Sequence, residues 1–258
     1  MQQNLFAQIA SQAGPHRDHL LRPVSGAVKK MVEDILELVI GGGGENLFNP
    51  WSDVDGNDQE GADARRRDNL RRYLSERLAW AEETGQRPWL LVGEAVGYQG
   101  GRFSGIAFTS ERLILAGRLG ADYETSSRRV EGWSEPSATI VWGTLDTINR
   151  IRQEEENHRE ETDGGPEDDV ARRVILWNTV PWHPHRPGEP LTNRTPTSAE
   201  TKQGLEIVKA VIDIVQPQGV LGIGRIAAET LGAERIRHPA HGGAAQFRTQ
   251  LQAHLLGR

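Results

Sequence analysis

The chain has 258 residues, which suits one large α/β domain with or without a smaller appendage, and its formal net charge at pH 7 is −6. It contains no cysteine, which excludes disulfides, thiolate zinc sites and cysteine-ligated iron–sulfur clusters. No apolar stretch approaches the ~20 residues that cross a bilayer, and the N-terminus lacks the pattern of a secretory signal. We therefore expect a cytoplasmic protein with no membrane partner.

The first 85 residues have the pattern of helices. Val24–Ile40 carries apolar residues at helical spacing, and the four glycines of Gly41–Gly44 end that helix and are interpreted as a linker. A second apolar helical face includes Leu70 and ends at Gly85. We expect residues 1–85 to form a helical extension packed on the core rather than an independent domain.

Short apolar strands alternate with helices in residues 86–258. This alternation predicts a three-layer αβα sandwich with a short, mostly parallel central sheet. Residues 118–170 are interpreted as an insertion, whose acidic stretch at 154–169 is expected to be a solvated, mobile loop. Residues 109–117 fit a helix or a strand. Strands are predicted at 89–92, 174–177, 220–223 and 235–237, and helices from Ser198 or Thr201 to Pro217, at 226–231 and at 244–256.

Polar side chains follow three of the predicted strands. The carboxyl ends of parallel strands meet at one edge of the sheet, where ligands bind in open α/β folds. A carboxylate, an amide and an imidazole at that edge suit hydrolytic chemistry on a planar heterocycle. These residues are Glu94 in Gly93-Glu94-Ala95-Val96-Gly97, Asn178 in Leu176-Trp177-Asn178-Thr179-Val180-Pro181, and His238 in Arg237-His238-Pro239-Ala240-His241-Gly242-Gly243.

These three segments, in this order, resemble the motifs of the uracil-DNA glycosylase superfamily over roughly residues 85–256. The resemblance implies that Glu94 positions the attacking water and that Asn178 reads the Watson–Crick edge of a flipped base. It also implies that Phe108, in Gly105-Ile106-Ala107-Phe108, stacks on that base. His238 would donate a hydrogen bond to the base carbonyl that gains negative charge as the bond breaks.

The resemblance also predicts contacts with DNA. The residues after His238 form a loop that would press into the minor groove, with His241 and Gly242 in it. The chain carries 26 arginines and four lysines, and guanidinium forks suit phosphate oxygens. Several arginines lie in or beside the motifs and are candidates for phosphate contacts, Arg102 among them. The predicted contacts are Arg186, Arg194 and Arg237.

Cleavage of an N-glycosidic bond places positive charge on the sugar and negative charge on the departing base. A fixed carboxylate stabilises the first charge, and a neutral imidazole stabilises the second. No lysine lies in a motif, which argues against a Schiff-base nucleophile. We expect a monofunctional glycosylase that acts as a monomer, leaves an abasic site and uses neither a cofactor nor a metal.

In the uracil-specific branches of the family, a bulky side chain closes the base pocket near carbon 5 of the pyrimidine. The chain departs from the family at this point. The guard stands either at the Gly97 position or a few residues on, near Gly100-Gly101, and both places are glycine here. Val96 replaces the usual proline. Without side chains there, we expect the pocket to be open at carbon 5. The predicted substrate is therefore a 5-substituted pyrimidine, such as the bulky modified bases of phage DNA, whose excision would be a defence reaction. Uracil excision in repair is the alternative.

Three other interpretations remain open. Gly222–Ala227 has a glycine-rich pattern of dinucleotide sites, but no acidic residue follows at the expected distance, so a strand-to-helix turn and no nicotinamide cofactor are expected. A DNA-binding module without catalysis would also fit the fold. A metal site is the least supported of the three, and it would use His183, His185, His238 and His241.

Overall fold

The computed structural model describes residues 24–157 and 169–258. Residues 1–23 of the predicted extension and most of the predicted acidic loop, at 158–168, lie outside the described residues. No helix in the described part is long and apolar enough to cross a membrane. The helices are α1 (Gly26–Ile40), α2 (Ala62–Thr84), α3 (Gly101–Ser104), α4 (Glu111–Leu115), α5 (Pro136–Asn157), a 3-10 turn (Val170–Arg173), α6 (Ser198–Val215), α7 (Arg225–Leu231) and α8 (Ala244–Leu256). The strands are β1 (Leu47–Phe48), β2 (Trp89–Ala95), β3 (Val174–Val180), β4 (His183–Pro184), β5 (Gly219–Ile223) and β6 (Glu234–Ile236).

Four parallel strands form the central sheet in the order β3-β2-β5-β6. Trp89 at the start of β2 pairs with Val174 on one side and with Gly219 on the other. Every residue of β3 is buried, as expected for a parallel strand with both faces covered. Helices flank the sheet, so the predicted three-layer α/β fold is confirmed. A separate antiparallel pair joins β1 to β4.

Two of the three motif-bearing strands, β2 and β3, are longer than their apolar runs predict. The sequence places their ends at Val92 and Trp177, yet pairing continues until Ala95 pairs with Val180. Polar and small residues extend a parallel pair as well as apolar ones do, because the ladder uses backbone groups alone. Glu94 and Asn178 therefore lie within the last residues of their strands. The ambiguous segment 109–117 contains a short helix, α4.

The helix pair α1 and α2 shares one buried cluster with the sheet. The Ser25 hydroxyl caps α1 by accepting a hydrogen bond from the Val28 N–H at 3.1 Å. From α2, the Tyr73 hydroxyl accepts a hydrogen bond from the backbone N–H of Leu176 at 2.8 Å, and Arg77 Nε donates to the carbonyl of Val174 at 3.0 Å. Both bonds reach the outer edge of β3, the terminal strand of the sheet.

The glycine run Gly41–Gly44 is a packed turn and not the predicted linker. A Cβ atom on Gly42 would lie 1.7 Å from Cζ2 of Trp182, so only glycine fits against this indole. The indole Nε1–H donates to the carbonyl of Val39 at 2.9 Å. The Asn49 amide also donates to the carbonyls of Val39 and Gly42, at 2.8 and 2.9 Å. These bonds satisfy carbonyl groups at the end of α1.

A fully buried ion cluster fixes the segment before α2 against α3. Oδ1 of Asp58 accepts hydrogen bonds from Arg66 at 2.8 Å and from Arg102 at 3.3 Å, and all three side chains are inaccessible to solvent. Arg102 also pairs with Asp55 at 2.6 Å, and its guanidinium lies 4.1 Å from the ring centroid of Phe48. Arg102 is therefore a structural residue and not a candidate phosphate contact.

Asp58→Asn leaves two buried guanidinium groups facing each other with one counter-charge fewer. We expect the free energy of unfolding to fall by about 3–5 kcal/mol, as when one partner of a buried pair is removed. Urea unfolding followed by circular dichroism measures this loss. The matched control is Asp34→Asn, which breaks the exposed pair with Lys30 and should cost less than about 1 kcal/mol. Equal losses in the two variants would contradict a structural role for the cluster.

Candidate active site

A cleft with a volume of about 660 Å³ opens at the carboxyl end of the sheet, within the usual range for sites that bind small molecules or single residues of a polymer. The ends of β2, β3 and β5 form its floor. Loops before α5, α6 and α7 form its walls. The structure brings the four predicted base-contacting and catalytic side chains to this one cleft: Glu94, Phe108, Asn178 and His238.

Gly93 allows an aromatic ring and an amide to meet on the cleft floor. It pairs with Asn178 across the two strands. A Cβ atom on Gly93 would lie 2.5 Å from Cζ of Phe108 and 2.6 Å from Oδ1 of Asn178. Any side chain here would therefore displace both groups. A planar ligand lying on the ring would present its edge to the amide.

Phe108 is held in a backbone conformation that few non-glycine residues adopt. Its φ is +48°, and such outliers persist only where the surroundings enforce them. The indole Nε1–H of Trp142 donates to the Phe108 carbonyl at 3.1 Å and lies 3.1 Å from Thr109 Oγ1. These contacts fix the turn that aims the ring into the cleft.

The Asn178 side chain is available to a ligand. It is only 4% exposed, and its amide makes no hydrogen bond within the described part of the chain. An amide group carries two donors and one acceptor oxygen. A buried amide that keeps these groups unpaired gains most from a ligand that pairs them.

Glu94 presents a half-buried carboxyl group to the same cleft. Burial raises its pKa, and the positive charge of Arg225 partly opposes that rise. The guanidinium of Arg225 itself pairs with Glu229 at 2.7 Å.

Arg225 begins α7 directly after Gly224, in the glycine-rich turn that resembles a dinucleotide site in sequence. In that turn a Cβ on Gly222 would lie 2.4 Å from Cα of Ala228, which accounts for the glycine by close strand–helix packing.

His238 is a neutral imidazole with a defined tautomer. Burial lowers its pKa, and the nearby His241 and Arg237 lower it further. The backbone N–H of Ala240 donates to Nδ1 at 3.1 Å. Because Nδ1 accepts this bond, the single ring proton is on Nε2, where it can be donated to a ligand. The ring centroid lies 6.3 Å from that of Phe108.

The loop that follows His238 has a narrow, exposed tip. His241 and Gly242 are both exposed, with left-handed φ values of +51° and +75°. A Cβ on Gly243 would lie 2.0 Å from the carbonyl oxygen of His238, so the chain can turn back this sharply only with glycine there. The entry of this tip into a groove of DNA stays a prediction.

Arg194 is engaged in bonds within the fold, which counts against the predicted phosphate contact. Its five N–H groups already have five acceptors, and Glu200 accepts two of the bonds, at 2.7 and 2.8 Å. The others go to the carbonyls of Asn46, His185 and Thr195. The side chain thus has no donor left for a phosphate.

Arg186 and Arg237 remain candidates for phosphate contacts. The guanidinium of Arg186 is exposed and lies 3.7 Å from Glu189. The backbone N–H of Arg237 donates to Gln250 at 2.6 Å. The Arg237 guanidinium makes no hydrogen bond within the described residues. Both roles stay predictions.

Glu135 closes the place where the sequence predicts an open pocket. A Cβ on Gly100 would lie 2.1 Å from Oε2 of Glu135, and one on Gly97 would lie 3.4 Å from Oε1. The two glycines therefore make room for a carboxyl group that arrives from residues 118–170. Sequence reasoning misses it because a Glu-Pro pair before a helix is typical of a solvated helix start, and only the tertiary fold brings it to the cleft.

His183 supports the first motif from behind. Its Nδ1 lies 3.0 Å from the carbonyl of Val96 and its Nε2 lies 3.2 Å from that of Pro190. Burial lowers its pKa to about 4, so the ring is neutral and donates to one of these carbonyls. No group of three or more His, Asp or Glu residues in the described ranges could hold a metal ion.

Comparisons with known proteins identify a family and a similar fold. The family model described as the uracil DNA glycosylase superfamily matches residues 82–254. Among solved structures, the chain is similar to wild-type SMUG2 of Pedobacter heparinus, with a TM-score of 0.55 and 14% sequence identity. That similarity covers 90% of this chain and 97% of the other, and at this identity it shows the fold alone. No curated protein matches the sequence.

Glu135→Gln tests the electrostatic cost of the carboxyl group. Burial raises the pKa of Glu135 to about 7 from an ordinary 4.5, so the folded protein holds this proton more tightly than the unfolded chain. Above pH 7 the buried carboxylate destabilises the fold, and this effect disappears below pH 4.5. At pH 8 we expect Glu135→Gln to raise the free energy of unfolding by about 1–3 kcal/mol. Denaturant unfolding at pH 8 and pH 4 measures the difference, which should largely disappear at pH 4. A gain that is the same at both pH values would contradict the raised pKa.

Proposed function

Because this chain belongs to the uracil-DNA glycosylase superfamily and is a DNA glycosylase, we propose that it removes a 5-substituted pyrimidine from DNA by hydrolysis and leaves an abasic site. The observation that carries the proposal is the meeting of Glu94, Phe108, Asn178 and His238 in one cleft. We further propose that it acts as a cytoplasmic monomer and needs no cofactor.

Phe108 and Asn178 would hold the flipped base. A base must leave the helix stack before its glycosidic bond can be reached, and aromatic stacking with edge-reading hydrogen bonds stabilises it outside. The floor formed around Gly93 offers these two contacts side by side. The unpaired amide of Asn178 can both donate and accept, as the Watson–Crick edge of a pyrimidine requires.

Glu94 and His238 would stabilise the two charges that develop as the bond breaks. The carboxylate of Glu94 orients a water molecule and stabilises the positive sugar. The neutral ring of His238 donates its Nε2 proton in a hydrogen bond to the base carbonyl, which becomes negative. The bond from Ala240 fixes that tautomer before the substrate arrives, so no reorganisation is needed during the reaction.

The exposed tip at His241 and Gly242 would enter the minor groove beside the vacated position. Arg186 and Arg237 would contact phosphates, which position the protein on DNA without reading sequence. The net charge of −6 makes such local contacts more important than any overall attraction. These roles follow the resemblance to the family motifs, and His241, Gly242 and Arg186 are exposed while Arg237 is half-buried.

A substituted pyrimidine is favoured by the size of the cleft and by the two glycines beside it. Gly97 and Gly100 carry no guard side chain of their own, and the polar carboxyl group of Glu135 occupies the space beside them. The bulky modified bases of phage DNA would fit such a cleft, and their excision would serve antiviral defence. Uracil in repair is the second candidate, which the name of the matching family favours.

Base release from synthetic duplexes tests this function. The duplexes carry uracil, a thymine mismatch, 5-hydroxymethylcytosine or glucosylated cytosine, and alkali then cuts the abasic sites. We expect release at the substituted bases and a loss of about 10²–10⁴-fold in Glu94→Gln, since the carboxylate acts in the transition state. Glu206→Gln, at an exposed pair with Lys209 on α6, is the control. Release at uracil alone would identify a repair enzyme, and no release from any duplex would contradict the proposal.

Arg225→Gln tests the protonation state of Glu94. Removal of this positive charge allows the pKa of Glu94 to rise further. Because the carboxylate is the active form, the acid limb of kcat/KM should move to higher pH by roughly 0.5–1 unit. The pH dependence of kcat/KM measures the shift, with Lys209→Gln outside the cleft as the matched control. An acid limb that stays in place would show that Glu94 ionisation does not limit the rate.

A further inference from the structure

Glu135 is a cleft residue that the mechanism above does not use. It lies directly before α5, and its carboxyl group occupies the space that a side chain on Gly100 would fill. Its neighbours Pro136 and Ser137 line the same cleft. A carboxyl group in this position faces whatever part of the base points towards Gly97 and Gly100.

Only one oxygen of this carboxyl group is satisfied. The Ser137 hydroxyl donates to Oε1 at 3.0 Å. Oε2 is shielded from solvent and makes no hydrogen bond in the described part of the chain. Most buried polar atoms in folded proteins have a partner, and one without a partner costs free energy. Oε2 is turned against Gly100, and a rotation of the side chain into the cleft would bring this unpaired acceptor to a donor on a ligand.

The segment that carries Glu135 is held rigidly. The buried carboxylate of Glu111 accepts hydrogen bonds from the backbone N–H groups of Ser126 and Ser127, both at 2.8 Å, and of Trp133 at 3.2 Å. The Trp133 ring also stacks on Phe103, with centroids 5.4 Å apart and planes 6° apart. These bonds anchor the backbone two residues before Glu135 and so limit the positions that its carboxyl group can take.

We propose that Glu135 selects the substituent of the target base, because its free oxygen accepts a hydrogen bond from a hydroxyl group carried by carbon 5 of the flipped pyrimidine. This inference rests on the proposed function, which places the Watson–Crick edge at Asn178 and carbon 5 towards Gly97 and Gly100. A methyl group in this place would leave Oε2 unpaired. A site built to bond a hydroxyl rejects the analogue that lacks it far more strongly than an apolar pocket rejects a change in size.

Three bases that differ only at carbon 5 provide the test: uracil, thymine and 5-hydroxymethyluracil, each opposite guanine in the same duplex. For the parent protein we expect kcat/KM to be at least about 10²-fold higher for 5-hydroxymethyluracil than for thymine. Glu135→Leu should reduce this ratio to below about tenfold, and Glu135→Gln, which keeps an acceptor oxygen, should retain more of it. Glu131→Gln, at an exposed side chain of the same segment, should leave the ratio unchanged.

The outcomes separate this inference from the proposed function. If Glu135→Leu lowers release of all three bases equally, or of none, Glu135 does not read the substituent even though the enzyme is a glycosylase. If the parent protein releases none of these bases and none of the modified cytosines either, the proposed function fails. Calorimetric binding of free 5-hydroxymethyluracil and free thymine to the parent and Glu135→Leu then tests Glu135 alone. Tighter binding of the hydroxymethyl base that depends on Glu135 supports the inference, and equal or absent binding overturns it.

Discussion

The parallel pairing of β2 with β3 on one side and β5 on the other determines where every site residue lies. This register places Gly93 beside Asn178 and Val92 beside Gly222. Since all four strands run in the same direction, their carboxyl ends share one edge, and the turn into α7 and the loop after β6 meet there as well. A slip of one residue would turn Asn178 to the opposite face of the sheet. The buried middle position of β2 makes such a slip costly.

Burial sets the protonation of three groups at this edge. It raises the pKa of Glu94 and of Glu135, and it lowers that of His238. The same desolvation strengthens each interaction with a bound ligand, because little water competes. Elsewhere in the fold buried charges lie in ion pairs, as in the cluster around Asp58. Site and scaffold thus use buried charge in opposite ways.

Much of this arrangement could be predicted from sequence because the signals are local. Apolar runs followed by Glu94, Asn178 and His238 are sufficient to predict strands that end at one ligand-binding edge, and that edge contains the cleft. The strand ends were missed because backbone pairing continues through polar residues. The contacts of Arg194 and Glu135 cannot be predicted from the sequence for another reason. Their partners lie at Glu200, Asn46 and Gly100, and only the tertiary fold brings these together. The catalytic and DNA-contact roles stay predictions.

The bonds from Tyr73 and Arg77 to the outer edge of β3 also affect how the molecule behaves at high concentration. An uncovered edge strand offers free N–H and C=O groups on which strands of other molecules can grow, and this is a common start of aggregation. Here a helix occupies the edge with a hydroxyl and a guanidinium. At the other end of the sheet, β6 has only three residues. The central sheet therefore gives neighbouring molecules little to extend, which favours colloidal stability in a crowded cell.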